Sequence, residues 1–273
     1  MRDDLAVLGG RISELEHSAW SMFSFIGRGP GGRIVDTPTR LVIESPVDRP
    51  PYNGVWRFYD EGDRPLRDQV AALLAPMVER GVPPVWAVHP TTDTGVRDEL
   101  AALGLACAEE IYGMATDLAD VPPPGDVPDG VEVVELSLDD SHMWVELVSW
   151  RYGLGAESSE YLIEAYRATL GETTRVWVAL VDGQPVSKVG LHIDHLVNPD
   201  GVAGIYGVAT TESGRNRGLA RLLCSTALEA ARATGVRRTV LHSTPMARSL
   251  YQRMGYEDVA TFEIWAVPDS LHL

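Results

Sequence analysis

Hydrophobic residues recur along this chain with two periods, one typical of β-strands and the other of amphipathic helices. After residue 130, these patterns predict a strand, two helices, three strands, a long helix, a strand, a short helix and a final pair of strands. The first of these helices has Met143, Leu147 and Trp150 along one face. The predicted bounds are Val131–Leu136, Ser137 or Asp139 to Tyr152, Ser158 or Ser159 to Leu170, Arg175–Val181, Pro185–Ile193, Ala203–Ala209, Leu219–Thr234, Arg237–His242 and, for the last pair, Tyr256–Val267.

The first half of the chain follows a similar plan in a degenerate form. Glu99–Leu105 resembles Leu250–Tyr256, because in both segments a helix ends at a glycine that an apolar residue follows. Similarity at half the chain length suggests a duplication, and an unrelated α/β domain is the alternative. The predicted helices are Ile12–Ile26, Leu66–Glu79 and Gly95–Leu103. The predicted strands are Arg33–Asp36, Arg40–Glu44, Gly54–Tyr59, Val85–His89 and Ala106–Leu118.

A proline-rich segment separates the two halves. The consecutive prolines Pro122–Pro124 cannot support a helix or a central strand, and they favour an extended spacer. We therefore predict one domain at residues 1–120, a linker at 121–130 and a second domain at 131–273.

The composition is that of an ordinary soluble globular protein, with 45% hydrophobic and 23% charged residues. No apolar run reaches the ~18 residues of a membrane-spanning helix, and the acidic start at Asp3 and Asp4 does not resemble a signal peptide. Cys107 and Cys224 stand outside any metal-binding spacing, so we expect neither a disulfide nor a bound metal. We expect a cytoplasmic protein.

One turn has the properties of an anion-binding site. It lies between the strand pattern that ends near Thr210 and the long helix that begins at Leu219. The first amides of a helix have no partner within the helix, and the helix dipole adds partial positive charge at the same end. Gly218 lets the backbone approach a ligand closely, and Arg215 and Arg217 add charge. The turn therefore predicts a pyrophosphate site.

The same turn, Arg215–Ala220, fits the pattern Arg/Gln-x-x-Gly-x-Gly/Ala, the signature of the GNAT N-acetyltransferase superfamily. Ala247–Tyr256 is similar to that family's Ala-x-x-Leu-Tyr-x-x-x-Gly-Phe/Tyr helix and turn. The resemblance covers residues 131–267, about half of the chain. A generic strand-helix-strand unit with an arginine-rich turn is the alternative.

The resemblance implies an α/β (α+β) protein with two acetyltransferase-like domains, each a mixed, mostly antiparallel sheet flanked by helices. It also implies acetyl-CoA as the acyl donor, held mainly by main-chain groups of the pyrophosphate turn and of the preceding strand. Ser243 stands where many family members have asparagine. The residues assigned to acetyl-CoA are Val208, Thr210, Arg215, Asn216, Arg217, Gly218, Leu219, Ala220 and Ser243.

By the same resemblance, Tyr251 is the general acid that protonates the departing thiolate, and a core tyrosine is the alternative. Gly204–Gly207 lacks the glutamate that some family members use as a base. We name His192 as the candidate base. The alternatives to it are an ordered water, Asp194, His195 and Glu212, and the candidates for walls of the acceptor pocket are Trp56, Trp86 and Tyr112.

The first half lacks a corresponding anion site. In Asp60–Pro65, three acids would repel a pyrophosphate, and the proline removes a backbone donor. We therefore expect a degenerate domain without a working cofactor site. Gly27–Gly32 fits G-x-G-x-x-G, but a predicted helix precedes it and a strand follows, which is the reverse of a dinucleotide-binding motif, so we predict a loop.

Together, the motifs predict an acyl-CoA-dependent N-acetyltransferase that acts on the primary amine of a small molecule. A protein or peptide amine as acceptor is one alternative, and a non-catalytic acyl-CoA sensor or scaffold is another. The formal net charge of −16 argues against nucleic acid as a partner and suits a cationic amine. We expect no membrane partner, and a homodimer is left open.

Overall fold

The strands of the two halves join in one continuous sheet. The structure is a computed structural model that describes residues 2–92, 95–137, 139–140, 143, 154–167, 169–171, 173–196 and 198–271. The strands in these residues are β1 (Arg33–Thr37), β2 (Arg40–Glu44), β3 (Gly54–Phe58), β4 (Val85–Val88), β5 (Ala106–Asp117), β6 (Val131–Glu135), β7 (Thr174–Val181), β8 (Gln184–Asp194), β9 (Val202–Thr210), β10 (Arg238–Ser243) and β11 (Glu257–Ala266). The helices are α1 (Arg2–Phe23), α2 (Leu66–Glu79), α3 (Val96–Ala102), α4 (Ala156–Arg167), α5 (Leu219–Ala233) and α6 (Arg248–Gln252).

The order of strands across the sheet is β1-β2-β3-β4-β11-β5-β10-β9-β8-β7-β6. The pairs β3–β4 and β9–β10 are parallel, and the other neighbours are antiparallel. β11 lies between β4 and β5, and β5 lies between β11 and β10. Each half thus places its last strand against the other half. The predicted α/β class with a mostly antiparallel sheet is confirmed, whereas the exchange of strands was not predicted.

Each parallel pair is joined by a helix, because parallel neighbours need a long crossover connection. α2 makes this connection in the first half, where Val70, Leu74 and Met77 enter a core around Trp86. α5 makes it in the second half, with buried apolar residues recurring every three or four positions, among them Leu219, Leu223, Ala227 and Ala231. That spacing places an apolar stripe on one face of α5, which packs on β7, β8 and β9.

A third core belongs to both halves. It includes Ile26 and Ile43 from the first half and Leu162 and Val178 from the second. Tyr161 of α4 donates a hydrogen bond to the carbonyl of Ile26. The halves are therefore held together by packing as well as by strand pairing.

The loop Gly27–Gly32 receives the ring of Tyr161. A Cβ at Gly29 would stand 2.6 Å from that ring, and one at Gly32 would stand 2.4 Å from its hydroxyl oxygen. Gly27 and Arg28 end a 3-10 helix (Ser24–Arg28), and the rest of the segment is the predicted loop, which leads into β1. Gly29 and Gly32 are therefore needed because a side chain at either position would clash with Tyr161.

Helix α1 crosses the middle of the sheet and packs on β5, β8, β9, β10 and β11. Ser18 of α1 and Tyr206 of β9 share a hydrogen bond of 2.8 Å between their hydroxyls. The approach is close, because a Cβ at Gly204 would stand 2.5 Å from Ser18 Oγ. The predicted start at Ile12 was wrong, since α1 begins at Arg2 and accommodates the two glycines that precede Ile12.

The final strand and the proline-rich segment bear on two of the predictions. The predicted pair of strands at Tyr256–Val267 is a single strand, β11, whose register shifts at Asp258/Ala260 and Ile264/Trp265. These irregularities, rather than a turn, interrupt the hydrophobic alternation. Pro122–Pro124 has no regular secondary structure, and the domain division at 121–130 stays a prediction.

The helix predicted from Ser137 or Asp139 to Tyr152 lies largely outside the described residues. The next predicted helix is present as α4, which begins two residues before the predicted Ser158 and ends at Arg167. None of the helices in the described part of the chain combines the length and the apolar character that crossing a bilayer requires.

Candidate active site

β9 and β10 separate partway along their length. Their parallel pairing stops at Ile205 and Leu241, after which β9 continues beside β8 and β10 continues beside β5. A bulge on β9, where Gly207 and Val208 face a single residue of β8, adds to the separation. Diverging strands open a cleft and leave main-chain groups without a ladder partner.

This opening is part of a cleft of about 850 Å³ that both halves of the chain line. Its α5 end is formed by β9 after the bulge, by residues 214–216 and 218–221 and by α6 with its neighbours. Its aromatic end consists of the lining residues Phe23, Trp56, His89, Tyr206, His242 and Phe262. The two ends are continuous, so a ligand at one end can reach a ligand at the other.

The start of α5 presents unpaired main-chain amides. Asn216 and Gly218 have positive φ angles of +59° and +74°, which turn the chain sharply before the helix. Among the described residues, the amides of residues 216–221 have no hydrogen-bond partner, and the first bond of this helix runs from Leu222 N to the Gly218 carbonyl at 3.0 Å. With the partial positive charge of a helix start, this geometry suits an anion.

Most residues assigned to acetyl-CoA from the sequence lie on this cleft. They are Val208, Thr210, Arg215, Asn216, Gly218, Leu219, Ala220 and Ser243. Arg217 belongs to the same turn but not to the cleft lining. The Thr210 hydroxyl bonds Ser187 Oγ at 2.8 Å, and the Ser243 hydroxyl donates to the Thr244 carbonyl at 2.9 Å. Since these two hydroxyls are engaged within the protein, contact of Thr210 and Ser243 with a ligand would come from the main chain.

Two exposed cations of the cleft were missed by the sequence analysis. Arg221 lies in the first turn of α5, one residue beyond the recognised pattern, and Arg253 follows α6. The position of Arg221 just after Ala220 was a usable signal. Nothing local to Arg253 pointed to the site, because the fold alone brings the end of α6 to the start of α5.

Tyr251 lies on α6 and lines the cleft, with 6% of its surface exposed. Burial, with smaller effects from Cys224 and Tyr256, raises the pKa of its phenol well above the usual value of 10, so the phenol is protonated at neutral pH. Among the described residues, its hydroxyl has no hydrogen-bond partner, whereas the Tyr256 hydroxyl bonds Thr239 at 2.8 Å. A buried, protonated and unpaired phenol at a cleft wall is able to donate a proton.

His192 lies on β8, is 3% exposed and is not among the residues that line the cleft. Its Nε2 is 2.9 Å from Ser21 Oγ of α1, and its Nδ1 is 3.1 Å from Thr174 Oγ1 of β7. Burial lowers its pKa to about 4. These contacts connect three elements of the fold, and the position gives no support to a role as the general base. The alternatives Asp194, His195 and Glu212 do not line the cleft either.

Two histidines that the sequence analysis missed do line the cleft. His89 follows β4, and His242 lies on β10 where that strand leaves β9. Burial lowers the pKa of His89 to about 3 and that of His242 to about 4, so both rings are neutral at neutral pH. Both ring nitrogens of His242 are without a hydrogen-bond partner among the described residues. Only the shared sheet brings these distant residues together, so no local pattern in the sequence could indicate them.

Of the three residues proposed as pocket walls, the structure places only Trp56 in the cleft. Trp86 is fully buried in the core of the first half, on the opposite face of its strand from the lining residue Ala87. Tyr112 lies under the guanidinium of Arg248, 4.2 Å from it. No Asp or Glu occurs among the described residues that line the cleft, so the acids expected to suit a cationic amine lie elsewhere.

In the first half, the loop between β3 and α2 is filled by its own side chains. Asp60 Oδ1 accepts hydrogen bonds from the Gly62 amide at 2.8 Å and from Gln69 Nε2 at 2.7 Å. Gln69 Oε1 also accepts the Glu61 amide at 3.2 Å. The amides of Glu61 and Gly62 are therefore already paired with side-chain oxygen atoms, and the carboxylates of the loop would repel an anion.

Comparison with known proteins agrees with this geometry. Residues 141–256 match the acetyltransferase (GNAT) family. A mycothiol acetyltransferase of Beutenbergia cavernae is 27% identical over 185 residues, which is 61% of this chain and also 61% of that protein's own length. The match thus leaves more than a third of the relative uncovered.

Two solved structures share the fold over most of the chain. A GCN5-related N-acetyltransferase from Kribbella flavida has a TM-score of 0.65 at 16% identity, covering 93% of this chain and 95% of that one. A tandem GNAT protein from the clavulanic acid biosynthesis pathway has a TM-score of 0.57 at 18% identity, covering 87% and 83%. With the match of residues 141–256 to the acetyltransferase (GNAT) family and the unpaired amides at the start of α5, these similarities show that the chain has the fold of GNAT acetyltransferases.

Proposed function

We propose that this chain is an acyl-CoA-dependent N-acetyltransferase that moves the acetyl group of acetyl-CoA to the primary amine of a small molecule. The observation that carries the proposal is the row of unpaired amides at residues 216–221, which, except for Arg217, belong to residues that line a cleft shared by both halves. These donors and the positive end of α5 suit the pyrophosphate of acetyl-CoA.

Different residues of the cleft would bind acetyl-CoA and transfer a proton. The turn Arg215–Ala220 would hold the pyrophosphate, with Arg221 and Arg253 close to its phosphates. The main chain at Val208 and Thr210, beyond the point where β9 leaves β10, would receive the pantetheine arm. Acetyl-CoA supplies the acetyl group as a thioester. The phenol of Tyr251 would donate a proton to the departing sulfur.

A glutamate at Gly218 tests the acetyl-CoA site. It would place a carboxylate at the expected pyrophosphate position, and we expect the dissociation constant for acetyl-CoA to rise by ~10²-fold or more. Gly235→Glu is the matched control, because Gly218 and Gly235 flank the same helix, have φ angles of +74° and +90°, and leave open space for a Cβ. Both variants should lose similar stability, of about 1–2 kcal/mol. Equal acetyl-CoA affinity in the two variants, measured by calorimetry, would remove the basis of the proposal.

Turnover separates an enzyme from an acyl-CoA sensor. Release of free thiol from acetyl-CoA is measured with a panel of small amines and with peptides that have free N-termini. We expect release with at least one small amine and not with the peptides. Tight binding without release on any acceptor would favour a sensor, and release with peptides alone would move the assignment to a protein amine.

A further inference from the structure

Six rings form a continuous wall at the aromatic end of the cleft. Trp56 stacks on Phe23 with ring centroids 3.9 Å apart, and Phe23 meets Tyr206 edge-on at 6.3 Å. The wall continues through His242, 6.4 Å from Tyr206, to Phe262, which contacts His242 at 4.5 Å and His89 at 5.3 Å. Three of these residues come from each half of the chain. The wall exists because the two halves share a sheet.

This wall carries no charge. Among the described residues that line the cleft, none is acidic, and the lining arginines Arg215, Arg221 and Arg253 belong to the α5 end. Burial keeps His89 and His242 neutral. Neutral aromatic surface favours flat apolar groups, and it offers no ion pair to a polycation.

His242 stands where the wall meets the divergence of β9 and β10. Its neighbour Ser243 belongs to the same cleft, so the ring lies one residue from the part of β10 that faces the α5 end. Both ring nitrogens are covered and unpaired among the described residues, although the residue itself is partly exposed. A half-turn of the imidazole about the Cβ–Cγ bond exchanges nitrogens with ring carbons, so the ring can present a nitrogen to the cleft without a backbone movement. Buried polar atoms without partners are rare and call for an explanation.

We propose that the aromatic end binds the acceptor as a primary amine on a flat, uncharged body, and that His242 takes the proton of that amine. This inference rests on the acetyltransferase function proposed above and names its acceptor class and its base.

The acetyl transfer balances in atoms and protons. The amine nitrogen attacks the thioester carbon, the new C–N bond forms and the C–S bond breaks. One nitrogen-bound proton passes to His242, and Tyr251 gives its phenolic proton to the sulfur. Solvent then carries a proton from His242 to Tyr251. When the amine arrives as an ammonium, His242 first accepts its additional proton and passes it to solvent, so one proton is released per turnover.

A comparison of amines tests the acceptor class. Thiol release from acetyl-CoA is measured with 2-phenylethylamine, glucosamine and spermidine, and amine binding is measured by calorimetry on the protein saturated with CoA. We expect 2-phenylethylamine to bind most tightly and to have the highest kcat/KM. Its kcat/KM should exceed that of glucosamine and of spermidine by ~10-fold or more, because neither of these amines has an apolar ring to contact the wall. Tighter binding of spermidine or glucosamine would overturn the inference. Binding of 2-phenylethylamine without thiol release would support the aromatic site while contradicting the proposed enzyme function.

Two buried tryptophans on neighbouring strands provide a matched pair of variants. Trp56 lines the cleft, whereas Trp86 is enclosed in the core. Trp56→Leu should raise KM for 2-phenylethylamine by ~10-fold or more and leave KM for acetyl-CoA unchanged, and Trp86→Leu should change neither constant. If Trp56→Leu does not fold, Phe23→Leu, at a partly exposed ring, tests the same wall. Unchanged amine KM in the folded wall variant would contradict the proposal.

His242→Gln tests the base. We expect kcat with 2-phenylethylamine to fall by ~10²-fold, with acetyl-CoA affinity unchanged. The loss should be smaller with aniline, which is uncharged at neutral pH and has less need of a base. A purely structural histidine would lower both rates alike, and either that result or an undiminished kcat would refute the assignment.

Discussion

The phenol of Tyr251 is protonated, buried and unpaired among the described residues, and these properties give it a testable role. Tyr251→Phe keeps the ring and removes the proton donor. We expect kcat to fall by ~10²-fold or more, while acetyl-CoA affinity and melting temperature change little. The measurement is steady-state kinetics with a calorimetric acetyl-CoA titration of each protein.

Tyr256→Phe is the control for this substitution. Its hydroxyl is paired with Thr239 at 2.8 Å and lies outside the cleft lining, so its loss should cost about 1 kcal/mol of stability and little activity. Normal turnover in a well-folded Tyr251→Phe protein would leave the tyrosine as a core residue and assign protonation of the thiolate to water.

His192 predicts a dependence of stability on pH. Burial lowers its pKa in the folded protein to about 4, against 6.5 for the free side chain. Between these values the unfolded chain binds a proton that the folded protein does not, so the free energy of unfolding falls as pH falls from 6.5 to 4. His192 alone should lower the free energy of unfolding by about 1 kcal/mol for each pH unit between pH 6.5 and pH 4. The variant His192→Gln should lack this contribution to the pH dependence.

Denaturant unfolding of both proteins from pH 7.5 to pH 4 checks this expectation. The difference between wild type and His192→Gln isolates the histidine from buried carboxyls such as Glu16 and Asp194, whose pKa values burial raises. Two parallel curves would show that His192 is protonated as readily in the folded protein as in the unfolded chain.

At the residue scale, the sequence was informative where the chemistry is local. The turn before α5 could be predicted because helix starts expose amides in every protein, and a glycine allows the positive φ found at Gly218. His89, His242 and Trp56 could not be grouped, since each belongs to a different strand region and only tertiary structure brings them to one wall. His192 belongs to a His-x-Asp-His segment that suggested a catalytic base. Its role depends on which face of β8 packs against α1, and the sequence does not show that.

At the scale of elements, Gly204 allows α1 to lie close to β9. A Cβ there would stand 2.3 Å from the Tyr206 ring and 2.5 Å from Ser18 Oγ. We expect Gly204→Ala to lower the free energy of unfolding by ~1–3 kcal/mol, because the helix must move away from the sheet or the ring must leave its rotamer. Urea denaturation measures the change.

Gly190→Ala on the adjacent strand is the comparison for Gly204→Ala. There an added Cβ would be 3.2 Å from its nearest neighbour, so a smaller loss is expected. If the two variants prove equally stable, the contact between α1 and β9 is not under the constraint described here.

Periodicity located elements whose apolar face is regular. The bounds of α2 agree with the predicted Leu66–Glu79, and β7 differs from its prediction by one residue. The pattern failed at β11, where two register shifts made one strand look like two. It also failed at the start of α1, because glycine in a helix lowers propensity without preventing the helix when packing elsewhere supports it.

At the scale of the whole molecule, we predict one tight acetyl-CoA per chain. The turn before α5 combines unpaired amides with the cleft arginines Arg215 and Arg221, whereas in the corresponding loop of the first half Asp60 and Gln69 accept the Gly62 and Glu61 amides and the carboxylates add negative charge. Calorimetric titration should give a stoichiometry near one, and Gly218→Glu should remove the tight binding. Two equivalent sites would mean that the loop of the first half opens to bind a second molecule.

The self-similarity of the halves could be inferred from the sequence, but their exchange of last strands could not. β5 and β11 are the last strands of the two halves. By its sequence pattern, each of them could pair either with β4 of the first parallel pair or with β10 of the second. Side-chain patterns specify which face of a strand is buried and say little about which neighbour it takes. The choice depends on contacts such as those of α1 and of the shared core, which form only in the complete fold.

The position of β11 has a consequence for how the protein is made. β4 finds its second neighbour only in Glu257–Ala266, so the sheet of the first half keeps an open edge until nearly the whole described chain has left the ribosome. Domains usually fold one after another during synthesis, and an unpaired edge invites association with other chains. We therefore expect the first half to complete its sheet only after the second half has been translated. The arrangement that gives the cleft walls from both halves would then also delay the completion of folding.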